Sequence, residues 1–178
     1  MIALRPRRSI TLAVHPTWAG FGWAAFEGPF APFDWGLVYV DCDKNARCLR
    51  RLERLLDRLG PQTFVLEAYE PRASARADRI AKLCRAMVDL ATKSGADVAV
   101  HTRGDVQACF AYVDARTRYD IAVAVSRTIE AFRHKLPRRR RAWEREDPRI
   151  ALFSAAALAL TSYSRSATRL LDELGGVT

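Results

Sequence analysis

Arginine dominates the charged residues of this chain, and its distribution is the first chemical signal. Twenty-nine Lys and Arg face 20 Asp and Glu, for a net charge of +9, and all but four of the basic residues are arginine. A planar, permanently charged guanidinium matches phosphate better than a flexible ammonium does. The excess therefore points to a nucleic-acid partner, against the plainer reading of a protein from an arginine-rich background. The charge is concentrated in three places. Arg72, Arg76, Arg79 and Lys82 recur every three or four residues, Arg103, Arg116 and Arg118 follow, and Arg138, Arg139, Arg140 and Arg141 form a dense run after Pro137. On one face these side chains would line a phosphate-contacting surface; the alternative for the helical set is a solvated face.

A second signal is a few polar residues at the ends of apolar runs. His15 follows Ile10–Val14, Glu67 follows Phe64–Leu66, and Glu144 and Asp147 stand three apart just before the apolar stretch from Ile150. Carboxylate oxygens are the hard ligands that magnesium takes, whereas an imidazole suits zinc or manganese. Each residue also has a structural reading: a satisfied histidine, a solvated strand-end carboxylate, and an N-cap for Asp147 with Pro148 at the first helical position.

The elements that must position these residues follow from hydrophobic period. Ile10, Leu12 and Val14 alternate with Thr11 and Ala13, as in a half-buried strand, and His15-Pro16 ends it because proline lacks the donor a central strand needs. Gly20 and Gly22 allow a reversal, and Trp23–Glu27 returns as a second strand. Phe26–Asp34 reads as a loop and Trp35–Asp41 as a third strand. From Asn45 the period becomes helical, with Leu49, Leu52, Leu55, Leu56 and Leu59 on one side, and Gly60-Pro61 stops the helix. Thr63–Glu67 is a wholly covered strand, Ala77–Lys93 a helix and Asp97–His101 a fifth strand, so the last two strands should pair in parallel across a crossover. A further helix carries Ile121, Val125, Thr128, Ile129 and Phe132, and Ile150–Tyr163 is a last helix expected to pack on the sheet.

This order predicts an α/β fold: a five-stranded mixed sheet, its first three strands antiparallel, with helices on both faces. Residues 1–178 read as one domain, with no repeat or linker. No apolar run approaches the roughly 20 residues that span a bilayer, and no signal-peptide pattern opens the chain, so a cytoplasmic protein is expected. Cys42, Cys48, Cys84 and Cys109 are scattered without a CxxC pair, which argues against a zinc site or disulfides.

In this order the elements resemble RuvC, the Holliday-junction resolvase family of the ribonuclease H-like superfamily. The resemblance runs from Ser9 to about Tyr163: His15-Pro16-Thr17 with Gly20-Phe21-Gly22-Trp23 matches the family's opening hairpin, Phe64–Glu67 its fourth strand, and His101–Gln107 with Asp114–Tyr119 its Gly-rich, basic segment. Ala155–Leu160 (AAALAL) matches its final helix. The resemblance implies a homodimer on branched DNA and cleavage with two Mg²⁺ or Mn²⁺ ions roughly 4 Å apart. The implied catalytic set is His15, Glu67, Asp147 and Glu144, with Glu67 and Asp147 as metal ligands.

The departures lie in that set. The family's first strand ends in an aspartate that bridges both metals; here the position is His15. Alignment on the AAALAL tail puts Ala151 and Ser154 where aspartates belong, and only a shifted register brings in Glu144 and Asp147. Two functions stay open: a structure-selective endonuclease with an unusual centre, or a degenerate relative that binds DNA without cutting it, as an architectural or regulatory factor. A kinase-like relative lacks the required Gly-rich phosphate loop.

Overall fold

The computed structural model describes residues 9–69 and 74–175. The described chain forms a five-stranded sheet of order β3-β2-β1-β4-β5, from β1 (Thr11–Thr17), β2 (Gly20–Phe26), β3 (Pro32–Tyr39), β4 (Thr63–Glu67) and β5 (Asp97–His101). β1, β2 and β3 pair antiparallel, and β4 joins β1 and β5 in parallel, which is the expected mixed sheet. The helices are α1 (Lys44–Leu59), α2 (Ala75–Lys93), α3 (Arg103–Cys109), α4 (Arg118–Thr128), α5 (Glu130–Arg133) and α6 (Ile150–Gly175).

Alternation along the strands divides the core into two layers. Leu12, Val14, Phe21, Trp23, Phe64 and Leu66 pack with Cys48, Leu52 and Leu56 of α1 and with Ile80, Leu83 and Met87 of α2. On the other face Ala13, Ala24, Phe26 and Val65 meet Phe132 of α5 and Leu152, Phe153, Ala156 and Leu158 of α6. Small residues on this second face bring α6 very close. A Cβ on Gly22 would sit 2.3 Å from the carbonyl carbon of Ala151, so only glycine permits the contact. The alanine-rich stretch of α6 thus fits a shallow sheet surface, and the helix spans the two central strands.

Several elements differ from the sequence expectation: β2 already begins at Gly20, in the expected turn, and α6 runs on past Tyr163 to Gly175. β1 continues through Pro16 to Thr17 rather than ending at His15-Pro16. The parallel register with β4 ends at Val14↔Leu66, so beyond it β1 has an open side on which a missing N–H costs no ladder bond. β3 already starts at Pro32, inside the expected loop, across a bulge at Ala25/Phe26. Ile129 takes an extended conformation (φ −116°, ψ 105°) and divides the expected single helix into α4 and α5. Arg103–Cys109 is a short helix opened by a capping box in which Thr102 and Asp105 satisfy each other's backbone N–H.

Candidate functional site

His15 and Glu67 stand one step past the last paired residues of neighbouring strands, where β1 and β4 begin to separate at one sheet edge. The imidazole Nδ1 lies 2.8 Å from a Glu67 carboxylate oxygen. The distance is that of a hydrogen bond but the alignment is not, because Nδ1 has no well-directed acceptor. We read the contact as a close electrostatic pairing. His15 is only 6% exposed. Burial alone would raise the Glu67 carboxyl, but contact with and attraction to His15, then Arg118 and Arg103, outweigh it and hold the group below the usual carboxylate range. His101 ends β5 opposite Glu67, and burial lowers its pKa. Its ring is acted on by Arg165 and Asp105 rather than by Glu67 and does not line the cleft that His15 and Glu67 share.

The acids before α6 are engaged elsewhere. Asp147 accepts the backbone N–H of Arg149 at 2.9 Å and is gripped by the Arg149 guanidinium at 3.0 and 2.7 Å. The first of these bonds is the expected capping role, although regular helix begins only at Ile150. Glu144 binds the backbone N–H of Arg141 at 2.8 Å and the Arg138 guanidinium, while its own carbonyl accepts from Arg140. It therefore closes the basic loop on itself. Two divalent cations need several carboxylate oxygens around them. Here one partly buried carboxylate faces an imidazole, and Glu144, Glu146 and Asp147 are held by arginine. Among the described residues no group of three or more His, Cys, Asp or Glu gathers to hold a metal ion. This donor set does not fit a two-metal centre.

His15 and Glu67 open into a cleft of about 1720 Å³. Among the described residues, seven arginines line it against four carboxylates, so it is net positive. Six of those arginines were expected from sequence: Arg76, Arg103, Arg118, Arg138, Arg139 and Arg140. Four other expected contacts are placed differently. Arg79 donates to the Trp18 carbonyl and to Asn45, Lys82 pairs with Asp78, Arg116 pairs with Asp114, and Arg141 lies over the Trp143 ring. Arg72 falls outside the described residues. The cleft also takes in Arg145, Trp18, Tyr39 and Tyr69, which the sequence reading passed over. Arg145 continues the basic run, and that was its only signal. Single aromatics in turns and strand ends carry no periodic signal at all.

In this protein the strands and helices form an α/β fold of the ribonuclease H-like type. Its fold is that of the RuvC Holliday-junction resolvases. It is similar to Thermus thermophilus RuvC in complex with a Holliday junction substrate, with a TM-score of 0.66 and 16% identity over 90% of this chain and 97% of that one. A second structure of Thermus thermophilus RuvC gives a TM-score of 0.61 and 19% identity over 90% and 98% of the two chains. No protein-family model matches the sequence, and no curated protein does.

Proposed function

We propose that this protein is a RuvC-like binder of branched DNA that does not cleave it. The observation that carries the reading is the His15–Glu67 contact at the floor of an arginine-lined cleft. A carboxylate that would help hold cations is occupied by a protein side chain, while the surface that would hold phosphates is kept. The junction-bound Thermus thermophilus RuvC, which shares the fold, supports DNA as the partner. Arg103, Arg118 and Arg138–Arg140 contact the phosphates in this reading, and the protein acts as a cytoplasmic homodimer, since a two-fold assembly suits a two-fold junction.

The test pairs binding with cleavage on a four-way junction. Wild type should bind at low salt, lose affinity steeply as salt rises, and leave the DNA intact in both magnesium and manganese. Combined Arg138→Ala, Arg139→Ala and Arg140→Ala should weaken binding and lower the salt slope by about one unit per lost phosphate contact. Magnesium-dependent cleavage that disappears in Glu67→Gln would overturn the reading and make this an active nuclease. Sedimentation of the same samples checks the dimer.

A further inference from the structure

Two aromatic side chains on the cleft wall are exposed in a way that packing does not explain. Trp18, in the turn between β1 and β2, is 54% exposed, and Tyr39, the last residue of β3, is 58% exposed. Both line the cleft that the arginines line. They share one corner of the sheet, since Thr17 and Tyr39 both pair with Gly20.

The turn that carries Trp18 is held from several sides. Its carbonyl accepts from Arg79 at 2.9 Å and from Lys44 at 3.3 Å. Arg79 is itself fixed, donating to Asn45 Oδ1 at 2.9 Å while its backbone carbonyl accepts from Asn45 Nδ2 at 3.1 Å. Val40 N–H, one residue beyond Tyr39, donates to the Ala19 carbonyl at 2.8 Å and ties the two aromatic segments together. Lys44 also lies over the indole, 4.7 Å from its centroid. The backbone that presents this exposed indole is thus held by α1, by α2 and by the segment after β3 before any ligand arrives.

We infer that Trp18 and Tyr39 form a shelf on which an unpaired nucleobase of the bound DNA stacks. The inference rests on the DNA-binding reading above. Charge complementarity decides the occupant: the cleft selects a polyanion, and an aromatic face beside a row of cations suits a strand whose bases are free. A fully paired duplex buries its base faces in the stack, so only unpaired nucleotides, as at a branch point or gap, can use the shelf. Lys44, 4.7 Å from the ring centroid, places positive charge beside the ring, where a flanking phosphate of such a nucleotide would lie.

The experiment compares a blunt duplex with the same duplex carrying a short gap opposite thymidines, using the full chain at low salt. Affinity and quenching of tryptophan fluorescence are read for wild type, Trp18→Ala, Trp18→Phe and Tyr39→Ala. Wild type should prefer the gapped DNA. Trp18→Ala should lose roughly tenfold in affinity for it, together with part of the quenching, and change little on the duplex. Trp18→Phe should recover most of the loss, and Tyr39→Ala should show a smaller version of the same selective defect. Equal losses on both substrates, or none on either, would overturn the shelf and leave the cleft reading standing. Absence of any DNA binding by wild type would overturn the cleft reading, and the shelf with it.

Discussion

Replacing His15 by aspartate tests the electrostatics on which the proposed function rests. In the wild type the partly buried Glu67 carboxylate is stabilised by the imidazole 2.8 Å away. His15→Asp puts a second carboxylate there. Two like charges about 4 Å apart repel by about 4 kcal/mol at an effective dielectric of 20. The pair can instead share a proton, but keeping one ordinary carboxyl protonated at pH 7 also costs about 4 kcal/mol. Both routes give a similar penalty. For a chain of this size it corresponds to a fall of about 10 °C in melting temperature.

The pH dependence fixes the sign. In the wild type the Glu67 carboxyl is lowered from an ordinary 4.5, so its stabilisation is full above that value and fades as pH falls below it. In the variant the shared carboxyls are raised, so the penalty is absent below the unfolded carboxyl value and grows as pH rises. The melting temperatures of the two proteins should therefore converge toward pH 4 and separate toward pH 8. Millimolar manganese should restore part of the variant's loss at neutral pH, since a cation between the carboxylates relieves their repulsion, and should shift wild type less. Melts across that pH range, with and without manganese, are the assay. A variant that melts within about 2 °C of wild type at pH 7 without divalent cation would show that Glu67 does not depend on His15 for its charge.

Two further predictions concern packing and reactivity. Gly22→Ala should destabilise the protein by about 3 kcal/mol, because its Cβ would meet the Ala151 backbone at 2.3 Å, while Gly28→Ala, with nothing within 4 Å, should be neutral in the same melts. At pH 8 a thiol reagent followed by mass spectrometry should modify exposed Cys42 at once. Cys48, raised by burial, and Cys84, pushed up to about 11 chiefly by burial and then by the Glu67 charge, should react only on unfolding.

Much of the fold was legible because its signals are local and repeat. Alternation marked Ile10–Val14 as a strand, the unbroken apolar run in Thr63–Glu67 marked a strand covered on both faces, leucine spacing marked the buried side of α1, and strand order brought two strand-end polar residues to one sheet edge. What was not legible depends on partners distant in the chain. Pro16 is tolerated because β4 has already left β1, a fact that Pro16 itself does not encode. Helical spacing puts Arg79 and Lys82 on one face, but it cannot show that Arg79 is spent on the Trp18 turn and Lys82 on Asp78. The start of α3 is encoded locally, by the capping-box spacing of Thr102 and Asp105, but Gly104 in its first turn weakens the helical signal.

The way the chain partners its acids is what supports the non-cleaving role proposed above. Carboxylates clustered without partners repel each other and draw in divalent cations. Three of the four cleft acids have a basic partner from the chain itself, His15 for Glu67, Arg149 for Asp147 and Arg118 for Glu146, and Glu144 beside the cleft is held by Arg138. These pairings differ in weight. The partly exposed arginine pairs contribute little to stability, because water and salt screen them. The His15–Glu67 pair is shielded from water, and Arg103 and Arg118 act on the same carboxylate. Seven arginines against four carboxylates, three of which are already paired, leave the cleft net positive. A phosphate backbone would then meet a positive surface without any bound ion, which is the arrangement expected of a protein that holds branched DNA and leaves it uncut.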